Sequence, residues 1–426
     1  MYQYLDSDIT YKMMNRILFI IILFFIGCSK DTDFIEEVDI INTPTIETVG
    51  DNPYKNFQIN YTNNSILNRV PILFRNYKQV ISQEYGEDFA ILDYNNDGFY
   101  DLVMGNSNYQ ASFAGIADRR PFIFYFGDAN GNLIYDPINS TKFLSLLHGK
   151  IGIVNDFNND GYLDIFFAGH ALDSPNAPKD QWGDYPIILE NDKNGSFIQY
   201  NIYEAYGYWH HATTGDINND GKVDIILNSP AINSDRPGYL IEYINNEYKA
   251  SKWNHDLTSS KTFNKFSHAS VDFNNDGIDD MVYGSTEFNN SPFHQDTFIG
   301  SFIKLSNGEI IEIPKVGYEN TMVYDFQVND IDNDGDYDLF VLRSEGTTNK
   351  KNYIQLLRND IYNFVDITES NPLENITGDP RISRIIITDS DSDGIYELRI
   401  YDFMPIVWAQ TDFLFEIIDG KLIRKK

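Results

Sequence analysis

A single cysteine, Cys28, in 426 residues rules out an intramolecular disulfide, so any bracing of loops must come from packing, hydrogen bonds or ions. Basic residues are scarce too. Thirty-two Lys and Arg stand against 63 Asp and Glu, a formal net charge of −31. Such a chain repels polyanions, which excludes non-specific binding to DNA, RNA or anionic lipid. No segment longer than two turns carries apolar residues at a helical period, so extended amphipathic helices are not expected. Nucleophile elbows, phosphate-binding loops and zinc signatures are likewise missing. The one long apolar run, Ile17 to Ile26, is ten residues, too short to span a bilayer.

Aromatic residues are plentiful, 29 Tyr and 30 Phe among them, which argues against disorder and for pleated sheet. The stretch Asp156-Phe157-Asn158-Asn159-Asp160-Gly161-Tyr162-Leu163-Asp164 sets the organisation. Its pattern recurs six times, starting at Asp93, Asp156, Asp216, Asp272, Asp330 and Asp389, with spacings of 63, 60, 56, 58 and 59 residues. A near-constant period of that length signals a repeat architecture. In the third repeat Trp209 to Gly215 leads into the motif, Ile225-Ile226-Leu227 follows it, and Gly238 to Tyr243 and Tyr248 to Ser251 flank a turn at Asn245-Asn246. Four short strands per repeat predict an all-β fold, a β-propeller of four-stranded antiparallel blades. Val70 to Asn76 aligns with Tyr185 to Asn191 of the second repeat, so residues 53–84 read as a degenerate blade without a motif. Seven blades are favoured over six.

Within the motif, oxygen-bearing side chains at positions 1, 3, 5 and 9 can converge on one point, with the backbone carbonyl of position 7 between them. Hard oxygen donors without His or Cys favour Ca²⁺, which accepts six to eight irregular ligands, over Mg²⁺, zinc or copper. The first loop offers Asp93, Asn95, Asp97, Phe99 and Asp101. The second offers Asp156, Asn158, Asp160, Tyr162 and Asp164; the third Asp216, Asn218, Asp220, Lys222 and Asp224. Asp272, Asn274, Asp276, Ile278 and Asp280 make the fourth, and Asp330, Asp332, Asp334, Asp336 and Asp338 the fifth. Asp389, Asp391, Asp393, Ile395 and Glu397 make the sixth. Six such ions would bring the formal charge from −31 to −19. By charge the fifth loop is expected to bind tightest, and the sixth, with Glu397 for Asp, is the least regular. An EF-hand is excluded, because position 12 has no Glu and the following residues are strand-like. The pattern Asp-x-Asn/Asp-x-Asp-Gly-x-x-Asp before a short apolar strand resembles the FG-GAP and VCBS repeats of integrin α-subunit propellers and bacterial surface proteins. That resemblance spans residues 53–426. It implies a propeller with calcium in the loops between a blade's first two strands and ligand recognition on the opposite face.

The apolar run is preceded by Lys12 and Arg16 and followed by Gly27-Cys28-Ser29. This placement suits a signal-peptide core over residues 1–27. Phe25-Ile26-Gly27-Cys28 resembles the lipobox of bacterial lipoproteins, with Cys28 the lipidated residue, although Phe25 replaces the usual leucine. The acidic cluster Asp31, Asp33, Glu36, Glu37 and Asp39 resembles the surface-export signal of Bacteroidetes lipoproteins. Residues 28–52 then read as a flexible tether, and an outer-membrane, surface-exposed location is expected.

In a four-stranded antiparallel blade the motif loops and the 3–4 hairpins share one face, and the 2–3 and 4–1 connections lie on the other. That sorting puts Trp182, Trp209, Trp253 and Trp408 on or beside the second face, with all seven histidines: His148, His170, His210, His211, His255, His268 and His294. Trp182, Trp209, His210, His211, Trp253 and Trp408 are the candidate ligand-binding residues. Five residues before each motif stand Asp88, Ile151, His211, Ser267, Asp325 and Arg384, mostly polar, as the wet mouth of a central channel would be. Aromatic rings beside Asp, Asn and His suit a polysaccharide or a protein partner. The alternative is a polysaccharide lyase or hydrolase, for which His211 with Asp325 is the acid–base candidate. A binding protein rather than an enzyme is expected.

Overall fold

The computed structural model describes residues 88–426 except 129–131, 173, 175–176, 178–180, 229–237, 254–264, 286–300, 319–320, 333, 346–350, 369–381, 389–395, 403–412, 419–420 and 425–426. The expected signal peptide, tether and degenerate blade therefore lie outside the described residues. So do Asp389, Asp391, Asp393 and Ile395 of the sixth motif, and Trp408, His255 and His294.

Twenty-four described strands form six four-stranded antiparallel sheets, each made from strands consecutive in the chain. Sheet 1 holds β1 (Phe89–Leu92), β2 (Asp101–Met104), β3 (Ile123–Gly127) and β4 (Leu133–Tyr135). Sheet 2 holds β5 (His148–Asn155), β6 (Asp164–His170), β7 (Ile187–Asn191) and β8 (Phe197–Asn201). Sheet 3 holds β9 (His211–Gly215), β10 (Asp224–Asn228), β11 (Gly238–Ile244) and β12 (Glu247–Trp253). Sheet 4 holds β13 (Lys265–Val271), β14 (Asp280–Ser285), β15 (Phe302–Lys304) and β16 (Ile310–Glu312). Sheet 5 holds β17 (Thr321–Asn329), β18 (Asp338–Glu345), β19 (Asn352–Asp360) and β20 (Asn363–Asp366). Sheet 6 holds β21 (Ile382–Thr388), β22 (Glu397–Asp402), β23 (Phe413–Ile418) and β24 (Lys421–Arg424). Among the described residues the one α-helix is α1 (Tyr109–Phe113), and no helix is long and apolar enough to cross a membrane.

Burial explains why second strands read as unbroken apolar runs rather than alternating ones. Every residue of β2 and β6 is buried, and for β6 both faces of the sheet meet a neighbour. Outer strands show the period of two instead: β8 and β12 alternate between covered and exposed positions. The first strands β1, β5, β9, β13, β17 and β21 pack side by side in chain order. Between consecutive sheets lie shared cores. Val103, Phe122 and Phe124 meet Ile165 and Phe167 between sheets 1 and 2, and Ile153, Phe166 and Ile188 meet Trp209 and Ile225 between sheets 2 and 3. Equivalent cores join sheets 3 to 4, 4 to 5 and 5 to 6.

Two first strands approach each other closely at Gly152 in β5. A Cβ there would lie 2.3 Å from the Phe89 carbonyl oxygen of β1 and 2.9 Å from the Phe167 ring. Gly152→Ala is therefore expected to force the two strands apart and destabilise the fold by about 1–3 kcal/mol, the usual cost of overpacking. Thermal melting beside wild type checks this, and an unchanged midpoint would show that the inner strands are not in tight contact.

Candidate functional site

Each motif loop leaves the end of a first strand and re-enters the sheet at its second, so all described loops lie at the same end of their sheets. Their shape follows from two backbone demands. The motif glycines Gly98, Gly161, Gly221, Gly277 and Gly335 hold φ between +78° and +96°. The residues two positions earlier, Asn96, Asn159, Asn219 and Asn275, hold φ of 54–58°, a left-handed conformation that asparagine tolerates better than most residues.

These turns bring the side-chain oxygens inward, where backbone N–H groups meet them. In all five described loops one oxygen of the position-1 Asp accepts the position-5 N–H and the other accepts the glycine N–H, as for Asp93 with Asp97 (3.0 Å) and Gly98 (2.8 Å). The position-3 oxygens of Asn95, Asn158, Asn218 and Asn274 accept the same position-5 N–H. Position 5 accepts the N–H of position 7, which is how Phe99, Tyr162, Lys222, Ile278 and Asp336 are held.

The position-9 carboxylates do something further. Asp101 accepts N–H groups from Tyr94 in its own loop (3.0 Å) and from Gly127 at the end of the third strand (2.8 Å). Asp164 does so with Phe157 and Asn191, Asp280 with Phe273 and Ser306, and Asp338 with Ile331 and Asn359. Each is a joint between loop, second strand and third strand. They are buried, and burial pushes the carboxyl groups of Asp101, Asp164 and Asp224 up to about 8 and those of Asp280 and Asp338 to about 6. A nearby cation is the direct remedy for so much buried negative charge. In the fifth loop, Asp330, Asp332 and Asp338 each present an oxygen, all within 4.8 Å of one another. Residue types and geometry therefore fit a hard cation.

Side chains from the third strand and its hairpin also reach these loops, which the motif alone does not reveal. Lys193 Nζ lies 3.1 Å from Asp160 and over the Tyr162 ring. Asn218 donates to Glu242 (3.1 Å), Ser306 Oγ donates to Asp276, and Arg358 lies 3.9 Å from Asp332. Asp279 joins two successive loops: its carboxylate accepts the Asp216 N–H and its own N–H donates to the Asp216 carbonyl, both at 3.0 Å. Burial pushes the Asp279 carboxyl up to about 7, against the pull of the Asp216 N–H, with Asp272 raising it further.

At the other end of the strands the aromatic and histidine residues divide. Trp209 is not on a binding surface. It is 1% exposed in the core between sheets 2 and 3, with its Nε1 donating to the Ala205 carbonyl at 3.0 Å. His211 is also interior, 3.5 Å from Asp325 and with its ring 4.7 Å from that of His268. The sequence brought this pair together correctly, but both partners are buried, which removes them from any open face. Trp253 packs half-buried against the core of sheets 3 and 4, and the half-buried Trp182 donates its Nε1 to the Ala177 carbonyl.

What gathers at this end is a column of stacked rings. His170 lies 4.1 Å from His148, 4.1 Å from Tyr208 and 5.1 Å from His210. Tyr208 and His210 are half-buried, and Phe113 of α1, 59% exposed, stands edge-on to His148. Burial, then Lys150 and His210, hold the His148 imidazole well below the usual histidine range, so it is neutral. The His170, Tyr208 and His210 rings are stacked within 29° of parallel, whereas His148 is tilted 46° to His170. Tyr208 and Phe113 carried no motif, and only the packing of sheets 1 to 3 reveals them.

The mouse protein cartilage acidic protein 1 is 28% identical over 151 residues, a stretch covering 34% of this chain and 21% of that one. The match thus spans about a fifth of that relative's length. Among solved structures, the V. cholerae biofilm matrix protein Bap1 superposes with a TM-score of 0.34 at 16% identity, over 66% of this chain and 38% of that one. The Bacillus licheniformis rhamnogalacturonan lyase PL11 superposes at 0.39 and 11% identity, over 80% and 57%. Likenesses this distant carry no argument about activity. Residues 156–227, from the second motif loop through the apolar core of β10, match the model of the FG-GAP-like repeat.

Proposed function

We propose that this chain is a lipid-anchored, calcium-stabilised β-propeller that binds a polysaccharide or a protein partner at the cell surface. The observation that carries the reading is the separation of chemistry between strand ends: oxygen-lined loops at one, stacked partly exposed rings at the other. The side-by-side first strands suit closure into a ring. So does the burial of Ile91, Leu102 and Met104 on the face of sheet 1 turned away from sheet 2. In this reading residues 53–84 supply a seventh blade. Calcium would be held by positions 1, 3, 5 and 9 and the position-7 carbonyl of each loop, neutralising carboxylates that are otherwise costly to bury. Tyr208 and His210, with Phe113 beside them, would offer ring faces to a sugar or an apolar side chain. The burial of His211 and Asp325 favours binding over bond cleavage, since a general acid or base must reach its substrate.

Four measurements test this. Adding calcium to chelator-treated protein is expected to raise the melting midpoint by several degrees, since a site filled at 1,000 times its Kd stabilises by about 4 kcal/mol; an unchanged midpoint removes calcium from the account. The pH trend has a definite sign. With chelator present, the raised carboxyls of Asp101, Asp164 and Asp224 favour the folded state most below their unfolded values near 4, and that contribution is lost as pH rises through about 8. The midpoint of chelated protein should therefore fall between pH 5 and 8, and calcium should flatten the trend.

For the ring column, Tyr208→Ala with His210→Ala is expected to weaken binding on a glycan or surface-protein array at least tenfold while leaving the melt within a few degrees. Undiminished binding would place the ligand elsewhere. Cys28→Ser is expected to move the expressed chain from the membrane fraction to the soluble one, and retention in the membrane would refute lipidation.

A further inference from the structure

The motif sequences are nearly uniform, yet the structure sets chemically different side chains against them. The reach comes from the third strand and its hairpin. Strand pairing places the residue opposite the position-9 carboxylate: Ile165 pairs with Leu189, Ile225 with Ile241 and Leu339 with Leu357. Asp164, Asp224 and Asp338 thus face Glu190, Glu242 and Arg358. The same count in sheets 1 and 4 puts Phe126 opposite Asp101 and Leu305 opposite Asp280. Two loops have a basic group in reach. Arg358 lies 3.9 Å from Asp332 of the fifth, itself held at 2.7 Å by Asp360, and Lys193 lies 3.1 Å from Asp160 of the second. In the third loop Glu242 accepts from Asn218 at 3.1 Å and adds negative charge beside Asp224, while the loop's own Lys222 donates to the Tyr243 carbonyl; Glu190 does the same beside Asp164 in the second loop, where Lys193 stands against it.

We propose that these hairpin side chains grade the cation affinity of otherwise similar loops, with Arg358 and Lys193 acting as tethered counter-ions that compete with calcium at loops five and two, and Glu242 strengthening loop three. The inference rests on the calcium reading above and extends it to residues outside the motif. It reverses the order expected from motif charge alone. Loop five has the most carboxylates, but one of them already faces a guanidinium. A cation entering that loop must work against a unit positive charge a few ångströms away, whereas at loop three it gains a further carboxylate. Phe126 and Leu305 leave loops one and four between these extremes.

The test is equilibrium dialysis of the full chain against calcium buffers, counting bound ions at each free calcium concentration. Arg358→Gln and Lys193→Gln are each expected to tighten one site by roughly five- to tenfold, the effect of removing one nearby unit charge in a largely aqueous setting. Glu242→Gln should weaken one site by a similar factor. Arg358→Lys should stay close to wild type, and all differences should shrink in high salt, as charge effects between exposed groups do. Binding curves for Arg358→Gln and Lys193→Gln that superimpose on wild type, with calcium bound in all three, overturn the inference while leaving the calcium reading intact. No bound calcium in any chain overturns the calcium reading, and this inference with it.

Discussion

The buried carboxylate at position 9 is the interaction on which the sheets depend. Asp101, Asp164, Asp280 and Asp338 each accept one N–H from the motif loop and one from the end of the third strand. A charged group in that place answers a backbone problem: the loop and the strand end both leave amides that would otherwise be buried unpaired. It also creates an electrostatic one, because nothing within the motif itself balances the charge. The loop's other oxygens surround the point where a cation would solve it. Bracing and cation affinity are therefore two aspects of one arrangement, and neither can be altered without disturbing the other.

From that joint the sheet grows outward through three environments. First strands are squeezed against each other, closely enough that Gly152 admits no side chain. Second strands are buried on both faces and can be apolar throughout. Fourth strands such as β12 are half in solvent and alternate. The cores between sheets are shared, so each sheet is stable only with its neighbours, the behaviour of a repeat protein. Aromatic side chains do much of the filling, as with Phe122, Phe124 and Phe167 between sheets 1 and 2 and Phe166 and Trp209 between sheets 2 and 3.

Much of this was legible in the sequence because the governing interactions are local. Asp93 and Gly98 are five residues apart and meet through one hydrogen bond, so spacing alone predicts the loop. The strand after each motif follows from its apolar run. Less legible was anything decided by which way a strand faces. Trp209 and His210 are adjacent and both sorted to the same strand ends, but only the packing of the sheet 2–3 core decides that the tryptophan turns inward. Arg358 and Asp332 are 26 residues apart and meet through pairing across β18 and β19. No motif registers that kind of proximity. His211 and Asp325, 114 residues apart, were matched because they share a register position, which the repeat itself supplies.

The reciprocal link between Asp216 and Asp279 has a consequence for how such a chain can change over time. It fixes the position of one loop relative to the next across 63 residues of intervening chain. Residues added or lost at the motif end would break that registration, because Gly215 leaves room for the Asp279 carboxylate and for nothing larger. The motif connections between first and second strands are all eight residues long, whereas the connections between second and third strands, at the opposite ends, run from six to eighteen residues. Drift in length is thereby channelled to the strand ends opposite the motif loops, while the acidic ends keep their spacing.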